Sequence, residues 1–267
     1  MQSAPCAEVV RRNRDVVVGV KTAHYRGAGG EAVDGAVRAA ESSDSIVMVD
    51  YNEHPNRSYR ELLLDHMRPG DVSTHMYSRG SAQVDDSGRV LDYIWQARER
   101  GVLFDVGHGK GSFVYDRAKP SMEQGHVPNT ISSDIHGLSF FLPRAALPVA
   151  MSKLMMLGVT LNDAIAKATS VPASAIGRPE LGSLSIGAEA DIAVSFTPNS
   201  HRHPTTFVQQ HLVGHTVNSD RRTPDETVPS PDPLKLDHAA LPHFVVNALQ
   251  SRLAWAGDFQ RACQRDR

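Results

Sequence analysis

Val16-Val17-Val18-Gly19-Val20-Lys21 is a β-branched apolar run that stops abruptly on a lysine. A run of this kind, apolar on both faces, reads as a central strand of a parallel sheet. In α/β folds the groups that do chemistry sit just beyond the carboxyl ends of the strands, so Lys21 becomes the reference point for the rest of the chain. A glycine-rich turn at 27–30 follows, then residues 31–41 place Val33, Ala36, Val37 and Ala40 on one helical face.

The same unit recurs. Further strands are expected over 45–50, 71–76, 102–107 and 130–134, with helices over 58–67, 90–100, 121–124, 144–157 and 161–170 between or after them. Strand starts fall about every 27 to 30 residues, a period that signals repeated βα units and parallel architecture. Doubly wound sheets and closed barrels both fit that pattern. Polar residues at five successive strand ends favour the barrel, whose site draws on many strands. The expected fold is thus α/β, a partial (β/α)8 TIM-type barrel made of its last five βα units. A closed barrel needs eight, and no room is left upstream of Lys21 for three more.

From Pro172 the character changes. Residues 182–194 suggest two short strands around a glycine turn, a small β appendage spanning 171–196. Residues 197–233 are rich in Pro, Thr, Ser, Asp and His with little periodicity, so 197–267 is expected to be an irregular tail, closed by a helix over 241–255.

Composition narrows the partners. The 267 residues are 40% hydrophobic and 22% charged, with a net charge of −2, which leaves no electrostatic footprint for nucleic acid or anionic lipid. No apolar run reaches the length of a membrane span, no signal-peptide pattern opens the chain, and Cys6 and Cys263 make no metal or disulfide spacing. A cytoplasmic protein acting on a small molecule, with no membrane or nucleic-acid partner, is expected. Open sheet edges would make it oligomeric or poorly soluble, so a homo-oligomer is expected too.

One chemically useful residue closes each strand: Lys21, Asp50, His75, His108 and Asp134. Any one alone reads as a structural cap; five in phase point to a shared site. His and Asp are ordinary ligands for zinc or a similar divalent ion, and an aspartate beside a metal can serve as general base. A lysine ligates poorly as an ammonium. Carboxylated by carbon dioxide, it becomes an anionic oxygen donor able to bridge two metals. Gly107-His108-Gly109-Lys110-Gly111-Ser112 lacks the spacing of a phosphate-binding loop, and His211-Leu212-Val213-Gly214-His215 lacks the glutamate of a zincin helix. His24, His54, His126 and His136 read as polar loop residues, with His136, two past Asp134, within reach of a substrate.

The runs Gly19-Val20-Lys21-Thr22-Ala23-His24-Tyr25, Pro69-Gly70-Asp71-Val72-Ser73-Thr74-His75, Gly101-Val102-Leu103-Phe104-Asp105-Val106-Gly107-His108-Gly109 and Thr130-Ile131-Ser132-Ser133-Asp134 resemble the amidohydrolase superfamily, and within it the dihydroorotase-like amidohydrolase/deacetylase group. The resemblance covers roughly residues 8–196, including the Gly-Ala-Glu-Ala-Asp-Ile pattern of 187–192 that resembles the end of that family's small β domain. It implies a binuclear metal hydrolase of amide, cyclic amide or acyl-ester bonds. Lys21 would be the carboxylated bridging lysine of the fourth strand, His75 the sixth-strand ligand, and Asp134 the eighth-strand ligand and proton-handling base; His108 and His136 would lie near the substrate.

Two departures accompany the resemblance. Asp50 stands where many relatives carry a fifth-strand histidine, a change between two kinds of zinc ligand. The first-strand His-x-His pair has no counterpart, since His201-Arg202-His203 follows no apolar strand. The sequence therefore reads as N-terminally truncated, with zinc at one site or none against two in intact relatives. The alternative is a catalytically inactive homologue acting as a binding or partner-dependent fragment.

Overall fold

The computed structural model describes residues 2–23, 25, 27–51, 54–81, 83–136 and 146–188, with strand segments 192–196, 209–213, 243–247 and 254–255 beyond them. Helix α1 (Ser3–Arg12) leads into β1 (Val17–Thr22), the strand that contains Lys21. Then follow α2 (Glu31–Ser42), β2 (Ile46–Asp50), α3 (Tyr59–Glu61), a π-helical turn (Leu62–His66), β3 (Val72–Thr74), α4 (Asp92–Glu99) and β4 (Leu103–Phe104). The chain continues through α5 (Tyr115–Glu123), α6 (Leu147–Met156), α7 (Leu161–Ala168) and α8 (Ser170–Ala175).

β1 to β4 are neighbours in chain order and all pair in parallel, as repeated right-handed βα units require. The burial alternates down β2, where Val47 and Val49 are covered while Ile46, Met48 and Asp50 are partly open. The covered side meets the helices: α2 turns Val33, Ala36, Ala39 and Ala40 into the core, and α4 contributes Ile94 and Ala97. Such an apolar stripe is what holds a helix of this length in place, since propensity alone does not. Gly30 caps α2 and packs so closely on His66 that a β-carbon there would fall 2.5 Å from its ring, and His66 Nδ1 in turn meets Asp34 at 2.6 Å. Beneath the sheet's amino end, buried Asp71 accepts from the Val47 N–H (2.9 Å) and from the Arg68 guanidinium (2.9 Å), tying β3 to β2.

Several expected elements take a different form. The strand expected over 102–107 is regular only at Leu103 and Phe104, because Gly107 (φ +48°) and Gly109 (φ +46°) turn the backbone away. The strand expected over 130–134 reduces to one parallel bridge, Asp105 to Thr130, although His108 N–H and Gly109 N–H still reach the Ser132 and Ser133 carbonyls at 3.0 and 2.9 Å. Helix α5 begins at Tyr115 rather than near 121, with Pro120 inside it. The carbonyl that Pro120 leaves without a donor belongs to exposed Asp116, where water can serve it.

At 182–194 the first of the two expected strands is replaced by a 3₁₀ turn (Pro179–Gly182) and a bend. There the Ser183 hydroxyl accepts from Ser185 N–H at 3.0 Å, a local bond that competes with strand pairing. Leu184 and Ile186 are left exposed. The second strand is present as β5 (Ile192–Phe196), flanked antiparallel by β6 (Gln209–Val213) and β7 (His243–Asn247). β7 and β8 (Ala254–Trp255) lie where the closing helix is expected; His243-Phe244-Val245-Val246-Asn247 is β-branched and aromatic, and β5 offers it a pairing edge. β8 pairs in parallel with β1, on the edge expected to stand open. Residues 189–191, His24, His201, His203 and His215 lie outside the described residues.

Candidate functional site

The strand ends carry the chemistry. Residues paired in a parallel ladder point to the same face, and Lys21 pairs with Met48, two positions before Asp50 on β2. Asp50 in turn pairs with Thr74. Lys21, Asp50 and Thr74 therefore share the face away from the helices, Lys21 two residues nearer the strand start.

His75 follows Thr74 and leaves the strand at once, with φ +61°. That region is sparsely populated by side-chain-bearing residues, and among the described residues only Asp44, His75 and Asp134 occupy it. The turn swings the imidazole over the strand end. Its Nδ1 lies 2.7 Å from the Gly107 carbonyl, which can only accept, so Nδ1 carries a proton, and in the neutral ring Nε2 is the lone-pair atom. Nε2 faces Asp50 Oδ2 at 3.7 Å. Burial pulls the ring's pKa down, but the Asp50 carboxylate, the Gly107 carbonyl and the more distant Asp134 together raise it above the ordinary histidine value. An imidazole fixed through Nδ1 with Nε2 turned to a carboxylate is the donor arrangement a divalent cation takes up.

Asp134 ends the 130–134 segment in a left-handed conformation (φ +48°). Its carboxylate rests on Gly109, where an added β-carbon would fall 2.5 Å from Oδ2, so only glycine permits the approach. His136 stands beside it, Nδ1 at 3.0 Å from the Asp134 carbonyl, and is half exposed. Among the described residues no three His, Cys, Asp or Glu side chains converge as a metal site. Asp50 and His75 meet as a pair, and the Asp134 charge still reaches the His75 ring.

His108 is placed differently from a substrate-facing residue. It is buried, its Nδ1 3.0 Å from the Gly109 carbonyl and its Nε2 2.7 Å from Lys153 Nζ on α6. Burial first, and the Lys153 charge second, hold it neutral with a pKa of about 4. Both ring nitrogens are engaged within the protein. Lys153 escaped the sequence reading; its ammonium also lies over the Phe113 ring (4.9 Å) and the Tyr115 ring (5.8 Å), an aromatic seat that no motif announces. His126, read from sequence as a loop residue, is fully buried between Trp95 and Phe104 and hydrogen-bonded to Gln83 at 2.7 Å.

A model of the amidohydrolase family matches residues 6–218. The chain belongs to the amidohydrolase family. It is similar to a deacetylase of Brucella anthropi, 32% identical over 151 residues that make up 56% of this chain and 37% of that protein. A deacetylase of Enterococcus faecalis is 28% identical over 202 residues, 73% of this chain and 54% of that protein. Among solved structures, an adenine deaminase superposes with a TM-score of 0.63 at 25% identity over 77% of this chain and 58% of that one. A dihydroorotase superposes with a TM-score of 0.55 at 31% identity, covering 64% and 48%. This amidohydrolase chain spans about half or less of the length of the curated relatives it matches. Its parallel sheet is accordingly part of a TIM-barrel-like α/β fold.

Proposed function

We propose that this chain carries the later strands of a divalent-metal hydrolase centre acting on amide, cyclic amide or acyl-ester bonds of a small molecule, the five βα units being the last five of the barrel. The observation that carries the reading is the Asp50–His75 pair at 3.7 Å, with His75 tethered through Nδ1 so that Nε2 faces the carboxylate. Oxygen and imidazole donors suit zinc. Asp50, His75 and a carboxylated Lys21 would hold one ion; Asp134, with Lys21, would belong to the second ion, which relatives hold with the His-x-His pair. When bound, such an ion polarises a carbonyl and acidifies water.

The chain's own residues supply the rest. Asp134, held out on its left-handed turn against Gly109, takes the proton from water and returns it to the leaving nitrogen or oxygen. His136 flanks it on the exposed side. The Lys153 ammonium, hydrogen-bonded to the neutral His108 ring, stands beside this strand end. The names of the similar deacetylases support acyl-group hydrolysis as the reaction class. With no family-like His-x-His in its sequence, the chain is proposed to hold at most one weakly bound metal and to turn over slowly; self-association is a separate proposal, resting on a sheet edge that β8 covers only at Val17 and Gly19.

The test compares hydrolysis of acyl esters and N-acyl amides by the full chain and by Asp134→Asn, with and without added zinc. Zinc-dependent turnover lost in Asp134→Asn supports the proposal. Absence of zinc-dependent turnover, even with a family-like upstream segment appended, favours the inactive, partner-dependent homologue.

A further inference from the structure

We propose that Asp105 is a positioning residue whose carboxylate and carbonyl hold His75, and the segment leading to Asp134, in the geometry that metal binding needs; this rests on the metal-site reading. Asp105 is 1% exposed. Its Oδ2 accepts from the Thr74 hydroxyl at 2.7 Å and from the Ser132 hydroxyl at 2.6 Å, and its Oδ1 accepts from the Thr130 hydroxyl at 2.7 Å. One buried carboxylate thus takes three hydroxyl donors from the segments on either side of it.

The backbone of Asp105 adds two further restraints. Its N–H reaches the Ser73 carbonyl at 2.9 Å, and its carbonyl accepts from the Met76 N–H at 3.1 Å. Thr74 and Met76, the residues on either side of His75, are therefore both held by Asp105. Between them His75 sits at φ +61°, a conformation that persists only where the surroundings over-determine it. The third restraint on His75, the Gly107 carbonyl on Nδ1, comes from two residues further along the same segment. On the other side, Thr130 and Ser132 lead directly to Asp134, the other candidate site residue in the left-handed region.

The chemistry requires a carboxylate. All three side-chain partners donate, and a carboxylate accepts at both oxygens, whereas an asparagine would keep one acceptor oxygen and put an NH2 donor in place of the other, so at least one hydroxyl would lose its acceptor and have to turn. Removal of the Thr74 hydroxyl leaves a smaller fault at the position adjacent to His75.

The experiment uses the full chain with Thr74→Ser, Thr74→Val, Asp105→Asn and His75→Ala. Nitrogen-15 spectra of the metal-free imidazoles, taken at a pH where the His75 ring is neutral, read its tautomer, and zinc affinity is read by competition with a chromophoric chelator. Wild type and Thr74→Ser are expected to show His75 protonated at Nδ1; Thr74→Val and Asp105→Asn are expected to show a mixture of tautomers and about tenfold or more weaker zinc binding. Unchanged His75 spectra in folded Thr74→Val and Asp105→Asn would overturn the role given to Asp105, whatever the zinc result. Equal zinc affinity in wild type and His75→Ala would instead remove the metal reading, and the spectra would still decide the positioning role.

Discussion

His75 Nδ1 and the Gly107 carbonyl are 2.7 Å apart, and that bond decides which face of the imidazole meets Asp50. Gly107 can make it because it has no side chain: at φ +48°, a β-carbon would fall 2.3 Å from Thr74 Oγ1 and 2.5 Å from His75 Nδ1.

Gly107→Ala is therefore expected to push the His75 ring off its tether and strain the turn. A loss of about 1–3 kcal/mol in unfolding free energy is expected from the conformation alone. Urea denaturation beside a zinc titration checks it; an alanine variant with unchanged stability and unchanged zinc affinity would count against this geometry.

His126 sets an acid limit on the fold. Its Nε2–H donates to Gln83 Oε1 at 2.7 Å while Nδ1 faces Arg98 at 3.3 Å, and burial, then the Arg98 charge, push its pKa down to about 3. The unfolded chain protonates this ring near 6.5, the folded chain only near 3, so the unfolded state binds the extra proton in between. Stability is complete above 6.5 and falls as the pH drops toward 3, by up to about 1.4 kcal/mol per pH unit from this group. His126→Gln should be less stable at pH 7 but show a shallower acid decline in urea midpoints between pH 6.5 and 4. A parallel decline in both proteins would be the contrary result.

Lys153→Met removes the hydrogen-bond donor and the charge beside His108. The His108 pKa should rise from about 4 but stay below 6.5, since burial is the larger cause of its depression. A histidine titration followed by NMR reads this directly; a pKa that stays at 4 would place the cause in burial alone.

The strand-end pattern was legible because it is local. A β-branched run ending on Lys21, and later runs ending on Asp50, His75 and Asp134, carry their own period and direction, and β1, β2 and β3 lie where that period puts them. What the sequence did not disclose depends on partners distant along the chain. Lys153 reaches His108 across 45 residues through the packing of α6, and nothing in its own neighbourhood marks it. Asp105 reads as one more strand residue until Thr74, Thr130 and Ser132 are brought around it. The left-handed turns at His75 and Asp134 have the same origin, since neither residue type demands that conformation. β7 was hidden for a related reason: a short β-branched segment becomes a strand only when an edge such as β5 is available.

Asp50 and His75 are proposed as halves of one metal site. Elemental analysis of the zinc-equilibrated full chain, wild type beside Asp50→Ala and His75→Ala, measures it most directly. No more than one zinc per wild-type chain is expected, removed by dialysis against a mild chelator, and essentially none in either variant. Two tightly held metals per wild-type chain, or an unchanged content in both variants, would contradict it.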